Sequence, residues 1–188
     1  VKLFKALFLI STILMTLVGC SKAQTPVSDI QIIKVDSSPY YEVFTVTDEN
    51  FEVKTFINGL EFEEDEEIRM HSTIEYIGNE EKIDIWSGDP FFIYTIQDGV
   101  EYFNEGIVHE LLMKTELKKG EIFKIPFSQS GGYSADDPKA AYWKEFFSEK
   151  ELKLPKGEYI FTAATAFSLD KEQKEKVVLK NKFYVKIK

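Results

Sequence analysis

From Asp29 onward, apolar and polar side chains alternate with a period of two over short segments, the pattern of strands with one buried face. Ile68, Met70, Ile74 and Tyr76 alternate with Arg69, His71, Thr73 and Glu75. Phe123, Ile125 and Phe127 alternate with Glu121, Lys124 and Pro126, and Phe183, Val185 and Ile187 with Lys182, Tyr184 and Lys186. The same reading predicts further strands over residues 30–35, 41–47, 51–57, 83–86, 91–96, 100–103, 107–117 and 159–167. Turn chemistry separates them: Asn58-Gly59, Gly78-Asn79, Gly88-Asp89-Pro90, Asp98-Gly99, Lys119-Gly120 and Pro155-Lys156-Gly157. Many short strands between frequent turns predict an all-β sandwich rather than an α/β fold.

One stretch departs from this period. After the Gly-rich loop at 128–134, Asp137-Pro138 has the form of an N-cap followed by proline in the first turn. Ala140, Trp143 and Phe147 then fall at i, i+3 and i+7, with Phe146 beside them, which predicts an amphipathic helix of about ten residues. Its rings either cover one end of the sandwich or form an aromatic flap that holds a partner.

The N-terminal segment follows neither period. Lys2 and Lys5 precede an apolar run at 6–18 that is broken only by Ser11, Thr12 and Thr16 and contains no acid. A basic start and an apolar core shorter than the about 20 residues of a membrane span predict an export signal. Its end, Leu17-Val18-Gly19-Cys20, resembles the lipobox of bacterial lipoproteins. That resemblance implies cleavage between Gly19 and Cys20, diacylglycerol on the Cys20 thiol, and a membrane partner reached through the anchor at the extracytoplasmic face. Two or three acyl chains hold a protein at a bilayer far more firmly than one. Residues 20–28, polar and carrying Pro26, read as a flexible tether. Residues 29–188 read as a single ectodomain, with a β extension and first strands at 29–57 and a loop-and-helix insertion at 128–148.

Composition narrows the function classes. The chain has 188 residues, 1 cysteine and a formal charge of -9, which is about one domain. A lone Cys excludes an intrachain disulfide and any multi-Cys zinc or iron–sulfur site. With 44% hydrophobic residues the chain can build a core, and its acidity argues against a nucleic-acid surface.

No catalytic motif assembles in the sequence. A G-x-S-x-G elbow is missing, and Gly131-Gly132-Tyr133-Ser134 lacks that spacing. His71 and His109 fall on separate predicted strands. His109 shares a face with Ile107, Leu111 and Met113, which predicts a partly buried ring, whereas His71 lies on a polar face and is expected to be solvated. The run Glu61, Glu63, Glu64, Asp65, Glu66 and Glu67 lacks the spacing and glycine of a calcium loop and reads as a hydrated connection. No phosphate-cradling loop is present. Catalytic residues, metal ligands and cofactors beyond the lipid are therefore expected to be none. Trp86, Tyr133, Tyr142 and Trp143 are the candidates for contact with a partner, since aromatic anchors dominate many interfaces.

Residues 51–167 resemble the immunoglobulin-like BsuPI family, named for an intracellular proteinase inhibitor of bacilli. The resembling pieces are EEIRMHSTIEYIGNEEKIDIW at 66–86, FFIYTIQDGVEYF at 91–103, ELKKGEIFKIPF at 116–127 and LKLPKGEYIFTA at 152–163. The resemblance implies an Ig-like sandwich and, at family level only, proteinase inhibition. In Leu154-Pro155-Lys156-Gly157-Glu158-Tyr159 the tyrosine is placed to return its hydroxyl to backbone, as in a tyrosine corner. The expectation is a lipid-anchored, non-enzymatic module for an extracytoplasmic protein partner. The alternatives are a binder of small ligands or divalent metal through acidic loops and, after it, a carboxylate-based hydrolase.

Overall fold

The computed structural model describes residues 29–33 and 41–188; the predicted signal and tether, with Gly19 and Cys20, lie outside the described residues. The elements run β1 (Asp29–Ile33), β2 (Tyr41–Thr47), β3 (Phe51–Ile57), β4 (Glu61–Phe62), β5 (Met70–Tyr76) and β6 (Lys82–Gln97). They continue with β7 (Phe103–Glu105), β8 (His109–Lys118), β9 (Ile122–Pro126), α1 (Ala140–Phe146), β10 (Gly157–Ser168), β11 (Lys176–Val177) and β12 (Lys180–Ile187). The first sheet has the order β1-β2-β3-β5-β9, and the second has β4-β12-β10-β6-β7, with β8 also on β6 and β11 on β10. Among the described residues only β4 and β12 pair in parallel within these sheets. The fold is an all-β sandwich, and the N-terminal strands β1 and β2 extend its first sheet.

The period of two decides which side chains meet between the sheets. Along β3 and β5, Phe51, Val53, Ile57, Ile74 and Tyr76 are buried, with Thr55 and Ser72 on the same face, while the alternate residues are half-exposed. From the opposite sheet Phe183 stacks on Phe44 at 4.2 Å between ring centroids, and Phe167 meets Phe51 edge-on at 5.2 Å. Each large side chain buried in this way contributes roughly 1.5–3 kcal/mol.

A polar seam crosses that core. Asn181 of β12 is fully buried, and its Nδ2 donates to the Phe44 carbonyl at 2.9 Å and to Thr55 Oγ1 at 3.0 Å. Thr55 Oγ1 lies 3.0 Å from Ser72 Oγ. Alongside, the Tyr94 hydroxyl of β6 donates to the Ile125 carbonyl of β9 at 3.0 Å, and burial pushes its phenol well above the ordinary tyrosine range. Both links run from one sheet to the other, so they fix how far the sheets slide.

Three expectations about the elements need correction. Gly88-Asp89-Pro90 is not a turn between two strands, because β6 runs unbroken through it. The register instead shifts between Ser87 and Asp89 against β8, and between Thr165 and Phe167 of β10, making a bulge that bends the strand. A Cβ at Gly88 would collide with the His109 carbonyl and the Val108 side chain, so the bulge depends on glycine. Residues 100–102 are a turn rather than the start of a strand. There the Asp98 carboxylate accepts the amides of Val100, Glu101 and Tyr102 at 2.8, 2.9 and 2.8 Å. The helix has seven residues, because Asp137 caps the preceding turn by accepting the Lys139 amide at 2.7 Å.

The two histidines exchange the environments expected of them. His109 is exposed, as are Ile107, Leu111 and Met113, because that end of β8 reaches past the cover of the first sheet. His71 stacks on Phe56 at 4.6 Å with rings 3° apart, and meets Tyr41 edge-on at 5.7 Å. Burial lowers its pKa, and the nearby Lys124 ammonium lowers it further.

Two outcomes follow. Asn181→Ala removes the donor to two buried acceptors and should lower the unfolding free energy by about 1–3 kcal/mol, read by urea denaturation; an unchanged midpoint would contradict the seam. For His71 the folded pKa lies below the unfolded value of about 6.5, so its contribution is complete above that pH and is lost as pH falls through the folded value. Between about pH 7 and pH 5 the native chain should therefore lose more thermal stability than His71→Phe, which keeps the stack without the titration. Parallel losses in calorimetry would refute this.

Candidate functional site

The insertion between β9 and β10 closes one end of the sandwich through a tyrosine. Tyr102, buried beside the Asp98 turn, packs its ring against Trp143 at 5.1 Å, Tyr142 at 6.1 Å, Phe146 at 6.4 Å and Tyr159 at 5.3 Å. Burial drives its phenol far above the ordinary range. Tyr159 in turn donates its hydroxyl to the Pro155 carbonyl at 2.8 Å, the bond expected of a tyrosine corner, and burial pushes that phenol up to about 12. The C-terminal turn of α1 is tied down by Gln129 Nε2, which donates to the Phe146 carbonyl at 3.0 Å.

This packing sorts the candidate aromatic residues. Trp143 is only 6% exposed and serves the core rather than a partner. Tyr133 is 41% exposed and stacks on Phe147 at 6.2 Å. Tyr142 is half-buried and lines a groove of about 360 Å³. Phe146, Leu154 and Pro155 continue its apolar floor, and Gln129 lines it too. Around the floor stand the carboxylates of Glu64 and Asp65 from the β4–β5 connection, and of Glu145, Glu149 and Glu151 from α1 and the turn after it.

The only cation among the groove's lining residues is Lys153, whose Nζ sits 3.0 Å from Glu151 Oε2. Its pKa is raised by that hydrogen bond and charge first, and then by Glu149 and Asp65. The field in the groove thus favours positive charge. Sequence reading picked out Tyr142 but missed Glu145 and Glu149, and took the acidic run for a plain hydrated connection. Their signal was there: Glu145 and Glu149 lie four residues apart, away from buried Trp143 and Phe146. Glu61 and Glu66 of the run are otherwise engaged, with Lys188 Nζ at 2.6 Å and the Glu63 amide at 3.1 Å respectively.

Trp86 lines a different cleft, of about 520 Å³, beside the β6 bulge. Val108, His109, Ala166 and Val178 share that cleft, and the Lys171 ammonium lies 5.9 Å from the indole centroid. The structure therefore does not bring the four aromatic candidates together: Tyr142, Trp143 and Tyr133 belong to the insertion, and Trp86 stands apart.

Among the described residues, no three His, Cys, Asp or Glu side chains are grouped to hold a metal ion, and no helix is long and apolar enough to cross a membrane. In comparison with known proteins, no family model matches this chain and no curated protein matches it.

Proposed function

We propose that the chain is a non-enzymatic binding module, held at the extracytoplasmic face of a bacterial membrane by lipid on Cys20, that captures a cationic segment of a protein partner beneath α1. The observation that carries this reading is the groove itself. It combines an aromatic and aliphatic floor of Tyr142, Phe146, Leu154 and Pro155 with five exposed carboxylates around it. An apolar floor gives affinity through desolvation, while a rim of one sign steers and selects a partner of the other sign. Lysine and arginine suit both parts, since their aliphatic stems lie along apolar surface and their charged heads stay in water. A half-buried tyrosine ring adds about 0.5–1 kcal/mol for a cation over its face.

In this reading the lipid on Cys20 sets the place and the acidic rim sets the sign of the partner. This reading rests on the groove rather than on the family resemblance.

The full chain in a non-ionic detergent should bind a lysine- and arginine-rich peptide and ignore a glutamate-rich peptide of equal length. Affinity should fall as salt rises. Glu145→Lys combined with Glu149→Lys should weaken binding by about tenfold or more, as read by titration calorimetry, with the thermal midpoint kept. Equal affinity for both peptides, or indifference to the double substitution, would defeat the proposal.

A further inference from the structure

The outer face of the second sheet carries two rows of side chains that point away from the core. In register across β12, β10, β6 and β7, the first row is Tyr184, Ile160, Gln97 and Phe103. The second, two residues along each strand, is Lys182, Thr162, Thr95 and Glu105. Paired residues on neighbouring strands put their side chains on one face, and burial identifies it as the outer one. Phe183, Phe161 and Ile96, which lie between the rows along their strands, are buried in the core. Tyr184 is 69% and Phe103 56% exposed, while Ile160, Gln97, Thr162 and Thr95 are half-buried.

The chemistry of these rows selects the ligand. The chain is 29% charged, yet the centre of this face holds no charge, and Lys182 and Glu105 stand only at the two ends of the second row. The Gln97 amide and the hydroxyls of Thr95, Thr162 and Tyr184 make no hydrogen bond among the described residues. The two exposed rings end the first row three strand spacings apart, about 14 Å. A bilayer surface would leave the amide and the hydroxyls without partners. A sugar chain satisfies every part of the set. Each pyranose has a face of C–H bonds that packs on an aromatic ring, and rim hydroxyls that donate and accept, as threonine hydroxyls and a glutamine amide also do. Its neutrality suits the uncharged centre, and the separation of the rings suits a short run of sugar units rather than one.

We propose that this face binds a neutral, extended oligosaccharide laid across the strands from Tyr184 to Phe103. Its rings stack on those two side chains, and its hydroxyls bond to Gln97, Thr95 and Thr162. A ribbon-like chain with equatorial linkages keeps each sugar against the sheet, whereas a coiled chain would touch it only at intervals. β10 and β6, which supply the centre, are paired on both sides, so the face is formed before the ligand arrives and little ordering is needed. A shallow face buries less of its ligand than a cleft does, so the affinity is modest. The site is separate from the acidic groove and does not depend on it.

Titration calorimetry of the full chain in a polyoxyethylene detergent, with cellohexaose and with chitohexaose, tests this. At least one of these neutral hexamers should bind, with an affinity that does not change as salt rises. Maltohexaose, which its axial linkages coil, should bind more weakly. Tyr184→Ala combined with Phe103→Ala should lower the affinity by about tenfold or more, and Gln97→Leu should lower it several-fold, each with the thermal midpoint kept. Tyr184→Phe keeps the ring and should retain most of the affinity. Glu145→Lys combined with Glu149→Lys should leave it unchanged, so a failure here and a failure of the groove are told apart. No binding of either neutral hexamer at millimolar concentration, binding of a galacturonate oligomer in their place, or an affinity untouched by the loss of both rings would overturn the proposal.

Discussion

The tight contact at Gly88 governs how the second sheet is built. A strand of sixteen residues twists too far to keep one flat register with its neighbours, and β6 bends and shifts register at a bulge where a side chain has no room. Because the His109 carbonyl sits where a Cβ would stand, β8 begins against the bulge and pairs only with the first part of β6. The last part pairs with β7, whose preceding turn carries Tyr102 into the core. One glycine thereby separates two ends of the molecule: an open strand edge on one side, and on the other a tyrosine on which α1 packs.

The core that supports both ends is apolar with a polar seam, and the seam adds what apolar packing lacks. Phenylalanine stacked on phenylalanine is tolerant of small slides, since dispersion and desolvation have little direction. Asn181 is not tolerant. Its amide meets a β2 carbonyl and a β3 hydroxyl from across the sandwich, and a slide that broke these bonds would leave buried groups unsatisfied. The seam is thus a register lock, with α1 and β8 held in fixed relation to it.

Much of this architecture could be read from alternation alone. β2 and β3 occupy the residues that the period of two marks out, and Tyr159 makes the backbone bond that its place after Pro155 and Gly157 suggested. The misreadings share a cause: local chemistry states what a segment favours, not what lies next to it. Gly-Asp-Pro favours a bend, and the chain does bend, but the strand carries on past it and both neighbouring ladders resume after a shift of register. Leu111 and Met113 alternate like core residues, yet alternation identifies an apolar face without identifying a cover. His71 lies on the wet face, as its neighbours imply, but Phe56 stacks on it from the adjacent strand. The groove was hardest to read, because Glu64 and Glu149 are far apart in sequence and meet only through the packing of α1 on Tyr102.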